Sequence, residues 1–281
     1  MEGRDAGTRR GGLRPLRQGS GQARKRFGQH FLEAAWVAKL VDALDARADD
    51  TFLEIGPGRG ALTAPLAPKV RKLVAVEIDR DLASALPSRL PSVQVVCADF
   101  LDVDLRDLLR GEPHPVRVVG NLPYNVASPI LFKLLHDADE GRLLQDATLM
   151  LQKEVADRLV ARPGSKAYGA LAIQVALLAD TERVLALPPG AFRPPPKVKS
   201  AVVRLRFRPP AVDVGDITTF EKLVRGLFLQ RRKTIGNALK PIADSMGRSA
   251  AELIERARVD AGRRPEALSL EDMARLSRAV L

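Results

Sequence analysis

The chain has 281 residues, with 45 Lys+Arg against 34 Asp+Glu, a formal net charge of +11, and 46% hydrophobic residues. That length accommodates one large domain plus a small one. Its longest apolar runs, such as 170–179 interrupted by Gln174, fall short of the ~20 residues a spanning helix needs, so no membrane partner is expected. The basic excess points to a polyanion, nucleic acid first, while aromatics at 4% argue against a binder built on base stacking alone.

The lone cysteine, Cys97, excludes internal disulfides and zinc sites made of several thiolates. Its apolar surroundings predict a small buried core residue, and the composition fits a reducing, cytoplasmic compartment. His30, His114 and His136 are too scattered for a metal cluster, so no metal is expected. Residues 1–24 are rich in Gly and Arg, have no apolar core pattern, and read as a disordered basic tail.

From Phe31 onward, apolar residues at helical spacing predict a helix ending before Asp49. Short strands then alternate with helices. Strands are predicted at Thr51–Ile55, Leu73–Ile78, Val93–Cys97, Val116–Val119, Ala147–Leu151, Val184–Leu187 and Ala201–Phe207. Ser128 is placed as a helix cap ahead of Pro129, and helices are placed at Glu154–Val160 and Leu171–Leu178. The alternation predicts an α/β fold with a doubly wound, mostly parallel, seven-stranded sheet. Pro209-Pro210 marks a boundary, after which the pattern is helical, with capping boxes at Ser249/Glu252 and Ser269/Asp272. The expected organisation is thus a tail over 1–24, a sheet domain over 25–208 and a small helical domain over 209–281. No heptad run is visible, and the chain is expected to act as a monomer.

Glu54-Ile55-Gly56-Pro57-Gly58-Arg59-Gly60 follows the first predicted strand and opens a helical segment. Glycines there let the backbone approach a ligand, and Gly56, Gly58 and Ala61 also satisfy a dinucleotide fingerprint. Glu77 ends the second strand, where such folds place a carboxylate for ribose hydroxyls. Asp99 ends the third, where it can accept from an adenine amino group. Together these three elements predict an adenosine site.

The fourth strand runs into Asn121-Leu122-Pro123-Tyr124. An exocyclic adenine amine is a poor nucleophile because its lone pair is delocalised into the ring. An Asn oxygen and a fixed carbonyl accepting its two N–H bonds favour pyramidal nitrogen and aim the lone pair at a methyl donor. Pro123 fixes the backbone, and Tyr124 offers a stacking face to an extruded base.

With these residues in view, the chain resembles the ribosomal RNA adenine N6,N6-dimethyltransferases, a family whose bacterial members are linked to kasugamycin sensitivity. The segments that carry the likeness are 25–32, 54–60, 76–79, 121–124 and 152–156, then Phe192 to Val198 and Arg231-Arg232-Lys233-Thr234. The resemblance implies a class I, Rossmann-like methyltransferase using S-adenosylmethionine, with cofactor contacts at His30, Leu32, Gly56, Gly58, Glu77, Asp99 and Asn121. It implies that Phe192 stacks on the target base opposite Tyr124, making Asn121, Leu122, Pro123, Tyr124 and Phe192 the catalytic set. His30 stands where the family often has Asn. A neutral imidazole still donates one hydrogen bond there. The family's bacterial members dimethylate two adjacent adenosines in a hairpin near the 3′ end of small-subunit rRNA, late in subunit assembly. The expected partner is therefore rRNA in the immature small subunit.

Residues 221–264 carry eleven basic and five acidic side chains. Arg231, Arg232 and Lys233 are the expected phosphate contacts, because an external anion would offset repulsion among three adjacent cations. Three alternatives remain open on sequence: a large-subunit rRNA adenine N6-methyltransferase, a non-catalytic nucleic-acid-binding assembly factor and a nicotinamide-dependent oxidoreductase.

Overall fold

Short apolar runs bounded by Gly, Pro and Asp seed the strands of the sheet, and the stretches between them become helices. The computed structural model describes residues 31–113, 115–123, 126–138 and 141–281. Its first half contains β1 (Phe31–Leu32), α1 (Ala34–Leu44), β2 (Thr51–Ile55), α2 (Thr63–Leu66), β3 (Lys72–Glu77), α3 (Arg80–Arg89), β4 (Gln94–Cys97), α4 (Leu105–Leu108), β5 (Val116–Asn121) and α5 (Ala127–Asp137). Then come β6 (Leu144–Gln152), α6 (Lys153–Leu159), α7 (Ala170–Leu178), β7 (Ala179–Leu187), β8 (Phe192–Arg193) and β9 (Ser200–Phe207). The rest is helical: α8 (Ile217–Leu229), α9 (Ile235–Ala238), α10 (Lys240–Ser245), α11 (Ala250–Ala257) and α12 (Leu270–Val280).

Seven strands form one sheet in the order β4-β3-β2-β5-β6-β9-β7. β2 pairs in parallel with β3 and β5, and β3 with β4. β5 and β6 are also parallel, whereas β9 runs antiparallel to both of its neighbours. The order reverses between β2 and β5, the point at which an open α/β sheet leaves a crevice at its strand ends.

Both faces of the central strands are buried, as a parallel sheet requires. Side chains alternate with period two. Leu53, Ile55, Val74 and Val76 share a core with Leu131 and Leu134 of α5. Phe52, Leu73 and Ala75 point the other way, packing with Leu44 of α1 and Leu66 of α2. At the start of β5, buried Arg117 crosses this packing. It donates to both oxygens of buried Asp146, to Asp50 and to the carbonyls of Leu44 and Asp45.

The helical lobe has its own core around Phe220, Leu223, Leu227, Leu253 and Met273, and it draws in Tyr168, Ala172, Ile173 and Leu177. Helix α7 thus serves two cores, because its Val175 belongs to the sheet side. Among the described residues no helix is long and apolar enough to cross a membrane.

Several local expectations are corrected. The first helix begins at Ala34, and Phe31–Leu32 instead pair antiparallel with β8. Its end does fall before Asp49, as expected: Leu44 is its last residue, and the left-handed φ of 50° at the C-cap Asp45 breaks the helical path. β7 begins at Ala179, five residues before the predicted Val184, because its early residues lie on an edge strand and are polar. Ser128 does not cap α5. The helix starts at Ala127, with Pro129 in the first turn, where a missing N–H costs nothing.

Ser249 sits at the N-cap of α11 without a side-chain cap bond, whereas the Ser269/Asp272 box is complete, both bonds at 3.1 Å. Cys97 is exposed, not buried. It closes β4, which among the described residues is an edge strand with a neighbour on one side only. Residues 1–30, including the tail and His30, and residues His114 and Tyr124 lie outside the described residues.

Candidate active site

Four adjacent strands, β4, β3, β2 and β5, bring four candidate residues to one edge of the sheet. At the end of β2 the chain turns through Gly56, Gly58 and Gly60, with φ values of 67°, 58° and 81°. Such positive values disfavour any residue with a Cβ. A Cβ on Gly56 or Gly58 would point into open space, so the backbone there is bare towards the crevice. At Gly60 a Cβ would meet Leu86 at 2.8 Å, so this glycine serves packing.

Glu77 closes β3 and is buried. Its Oε2 accepts the Gly58 N–H at 2.9 Å and its Oε1 accepts the Asp79 N–H at 3.0 Å. The next residue, Ile78, is 53% exposed, a large apolar side chain left at the strand-end edge. Asp99 lies two residues past the end of β4, and its Oδ1 accepts the Leu101 N–H at 3.0 Å. One carboxylate oxygen caps this turn, while Oδ2 has no bond of that kind among the described residues.

Asn121 is the last residue of β5 and is exposed. Leu122 is buried and donates its N–H to the Met150 carbonyl at 3.2 Å, fixing the backbone immediately after Asn121. Pro123 is exposed, and its carbonyl accepts the Val126 N–H at 3.2 Å. Before Asn121, a Cβ on Gly120 would stand 3.0 Å from the Ile55 carbonyl, so this strand end tolerates only a close backbone approach.

Beneath the turn lies a residue to which the sequence assigned no separate role. Glu54 is 2% exposed, and neither its Oε2 nor the Thr63 hydroxyl has a hydrogen-bond partner among the described residues. Burial pushes its pKa up to about 7; the nearby Thr63 hydroxyl opposes the shift and the Glu77 charge adds to it. A charged residue inside a five-residue buried strand was the signal that could have marked it.

The family model for ribosomal RNA adenine dimethylases matches residues 20–280. The chain belongs to the ribosomal RNA adenine dimethylase family. Its relatives include proteins named ribosomal RNA small subunit methyltransferase A. The one from Geobacter metallireducens is 45% identical, covering 92% of this chain and 96% of the relative. The one from Acinetobacter baylyi is 42% identical, covering 94% of each. Among solved structures, a dimethyladenosine transferase from Plasmodium falciparum superposes with a TM-score of 0.73 at 25% identity, over 88% of this chain and 96% of that one. The 23S rRNA methyltransferase ErmE gives 0.65 at 28% identity, over 89% and 99%.

In this dimethylase chain the remaining candidates are placed unevenly. Leu32 is half-buried in β1, directly opposite Phe192 of β8. The Phe192 ring, expected to stack on a base, is 4% exposed and packs with Leu40, Met150 and Val202. As placed it offers no free face, because the first two residues of its proline-rich segment are held in the β1–β8 ribbon. Arg231, Arg232 and Lys233 are all exposed. They are not equivalent: Arg231 pairs with Glu266 at 2.8 Å, while Arg232 and Lys233 make no ion pair among the described residues.

Proposed function

We propose that this chain transfers methyl groups from S-adenosylmethionine to the N6 amines of two adjacent adenosines in a hairpin near the 3′ end of small-subunit rRNA. The observation that carries the reading is the convergence of Gly58, Glu77, Asp99 and Asn121 on neighbouring strand ends. Those residues fit an adenosine-bearing cofactor. The bare Gly56–Gly58 backbone admits close approach, Glu77 retains lone pairs for ribose hydroxyls, and the second Asp99 oxygen suits an adenine amine. The exposed Ile78 offers the ring an apolar face, and Leu32 and His30 complete the cofactor set. The cofactor supplies a sulfonium-bound methyl group.

The chain's own residues prepare the amine. Asn121 Oδ1 and the Leu122 carbonyl accept its two N–H bonds, Pro123 holds that backbone, and Tyr124 stacks on the base. Phe192, packed behind β1, shapes the floor instead of stacking on the base. No strong general base is required, because the proton leaves a nitrogen that is already cationic. Residues 25–208 act as the cofactor-binding domain and 209–281 as the RNA-binding lobe. The protein works as a monomer on the immature small subunit in the cytoplasm. The large-subunit alternative is disfavoured, because the relatives at 42–45% identity are named for the small subunit.

Mass spectrometry of rRNA from a strain lacking the chain tests the reading. The two adjacent adenosines should lack methyl groups in the deletion strain and regain them on complementation. Full methylation without the protein would overturn it.

A further inference from the structure

Arg231 stands at a three-way junction. Its Nη2 donates to Glu266 Oε2 at 2.8 Å and to the Lys166 carbonyl at 3.4 Å. Lys166 lies in the loop between α6 and α7 of the sheet domain, whereas Glu266 lies in the turn preceding α12. The same two segments are joined twice more: the Gly164 N–H donates to the Glu266 carbonyl at 2.8 Å, and the Tyr168 hydroxyl to the Leu268 carbonyl at 2.9 Å. The residues after Arg231 are clipped as well, with Ile235 N–H bonded to the Arg263 carbonyl at 2.7 Å and Gly236 N–H to the Ala261 carbonyl at 3.0 Å. A planar guanidinium can hold acceptors from two segments at once, which a lysine ammonium on a flexible stem does poorly.

We infer that Arg231 is a positioning residue that clasps the sheet domain to the helical lobe and sets the direction in which Arg232 and Lys233 meet RNA. The inference rests on the RNA reading of that pair but assigns Arg231 a different task. Its charge is already answered by Glu266, so it releases no counterion when RNA binds. The pair is partly exposed, at 43% and 32%, and such pairs contribute little to stability. Its consequence is therefore geometric: the phosphates held by Arg232 and Lys233 lie at a defined place relative to Asn121.

The test combines salt-dependent RNA binding with single-turnover methyl transfer onto immature small subunits at saturating enzyme and cofactor. Arg232→Gln should flatten the logarithmic salt dependence by about 0.7–0.9 for its lost phosphate contact. Arg231→Gln should leave that slope unchanged and slow the saturating step severalfold. Glu266→Gln should slow it equally while RNA affinity holds or rises, since a negative charge has gone. The double variant should be no slower than either single, because both remove one interaction. Melting temperatures should stay close to wild type throughout.

The inference is overturned if Arg231→Gln flattens the slope as Arg232→Gln does, or if Glu266→Gln turns over normally. If Arg232→Gln leaves the slope unchanged while Arg231→Gln and Glu266→Gln still slow transfer, the clasp stands and the phosphate role of Arg232 fails. A wild-type protein that transfers nothing to rRNA overturns both.

Discussion

Glu77 accepts the Gly58 N–H through Oε2 at 2.9 Å, locking the end of β3 to the glycine turn that follows β2. Its other oxygen takes the Asp79 N–H, so the carboxylate is oriented by two backbone donors from two segments. A carboxylate has about four lone-pair sites, so two backbone donors leave some of them for a ligand.

Glu77→Ala should therefore weaken S-adenosylmethionine binding by roughly 1.5–3 kcal/mol, the range for hydrogen bonds to a charged group. Glu77→Gln should lose less, because the amide oxygen can still take one of the two backbone donors. Calorimetry on folded variants decides it, and unchanged affinity in Glu77→Ala would remove Glu77 from the cofactor site.

Much of this site was legible because its parts sit at strand ends, where apolar runs stop abruptly at Gly56, Glu77 and Asn121. The central strand Thr51–Ile55 was read to the residue, since burial on both faces leaves a run that is apolar but for Thr51 and Glu54. Edge strands were not. Cys97 looked like core because apolar neighbours do not reveal that β4 is an edge strand among the described residues. The start of β7 was hidden by Asp180, Thr181 and Glu182. The burial of Phe192 and the ion pair of Arg231 were hidden for a related reason. Their partners, Leu40 and Glu266, lie far away in the chain, and local pattern carries no such contact.

Glu54 gives the protein a pH dependence. Burial raises its pKa from 4.5 to about 7, so the folded state holds a proton that the unfolded chain releases at lower pH. The stabilisation is fully present below pH 4.5 and is lost as pH rises through about 7. The shift corresponds to something on the order of 3 kcal/mol. Glu54→Gln should flatten the fall in stability across that window and be the more stable protein at pH 8. Urea melts of both proteins at a series of pH values would show it, and parallel curves would mean Glu54 ionises freely.

Arg117 lies at the opposite end of β5 from Asn121, and its loss should affect stability without touching chemistry. Arg117→Ala leaves Asp146 buried without its counter-charge, which typically costs about 3–5 kcal/mol. Asp50 is less stranded, because it also accepts the Arg47 N–H at 2.9 Å. For a chain of this size the melting temperature should fall by on the order of 10 °C. The double variant Arg117→Met/Asp146→Leu should recover most of that loss, since no unpaired buried charge remains at the Asp146 position. Methyl transfer at a permissive temperature should be near normal in both. A single variant that melts with wild type would show that the network contributes nothing.

Asn121 carries the chemical argument. It closes β5 on the crevice edge, with Leu122 pinned to the Met150 carbonyl at 3.2 Å immediately behind it, so its backbone is fixed and its side chain is exposed. If its amide oxygen accepts from the adenine amine as the methyl moves, Asn121→Ala should reduce the single-turnover rate by ~10²–10³, the loss seen for one well-placed polar group. RNA affinity should change little, because phosphate contacts supply most of it. Asn121→Asp keeps the acceptor and brings a negative charge, so it should retain more activity than Asn121→Ala, provided cofactor binding is saturated. Tyr124→Ala should lose roughly 1–3 kcal/mol of base stacking, and Tyr124→Phe should keep most activity because the ring face remains. The measurement is single-turnover transfer onto immature small subunits with saturating cofactor, together with cofactor affinity for each variant. An Asn121→Ala protein within about tenfold of the wild-type rate, far short of the expected loss, would place the amine's acceptors elsewhere and refute this mechanism.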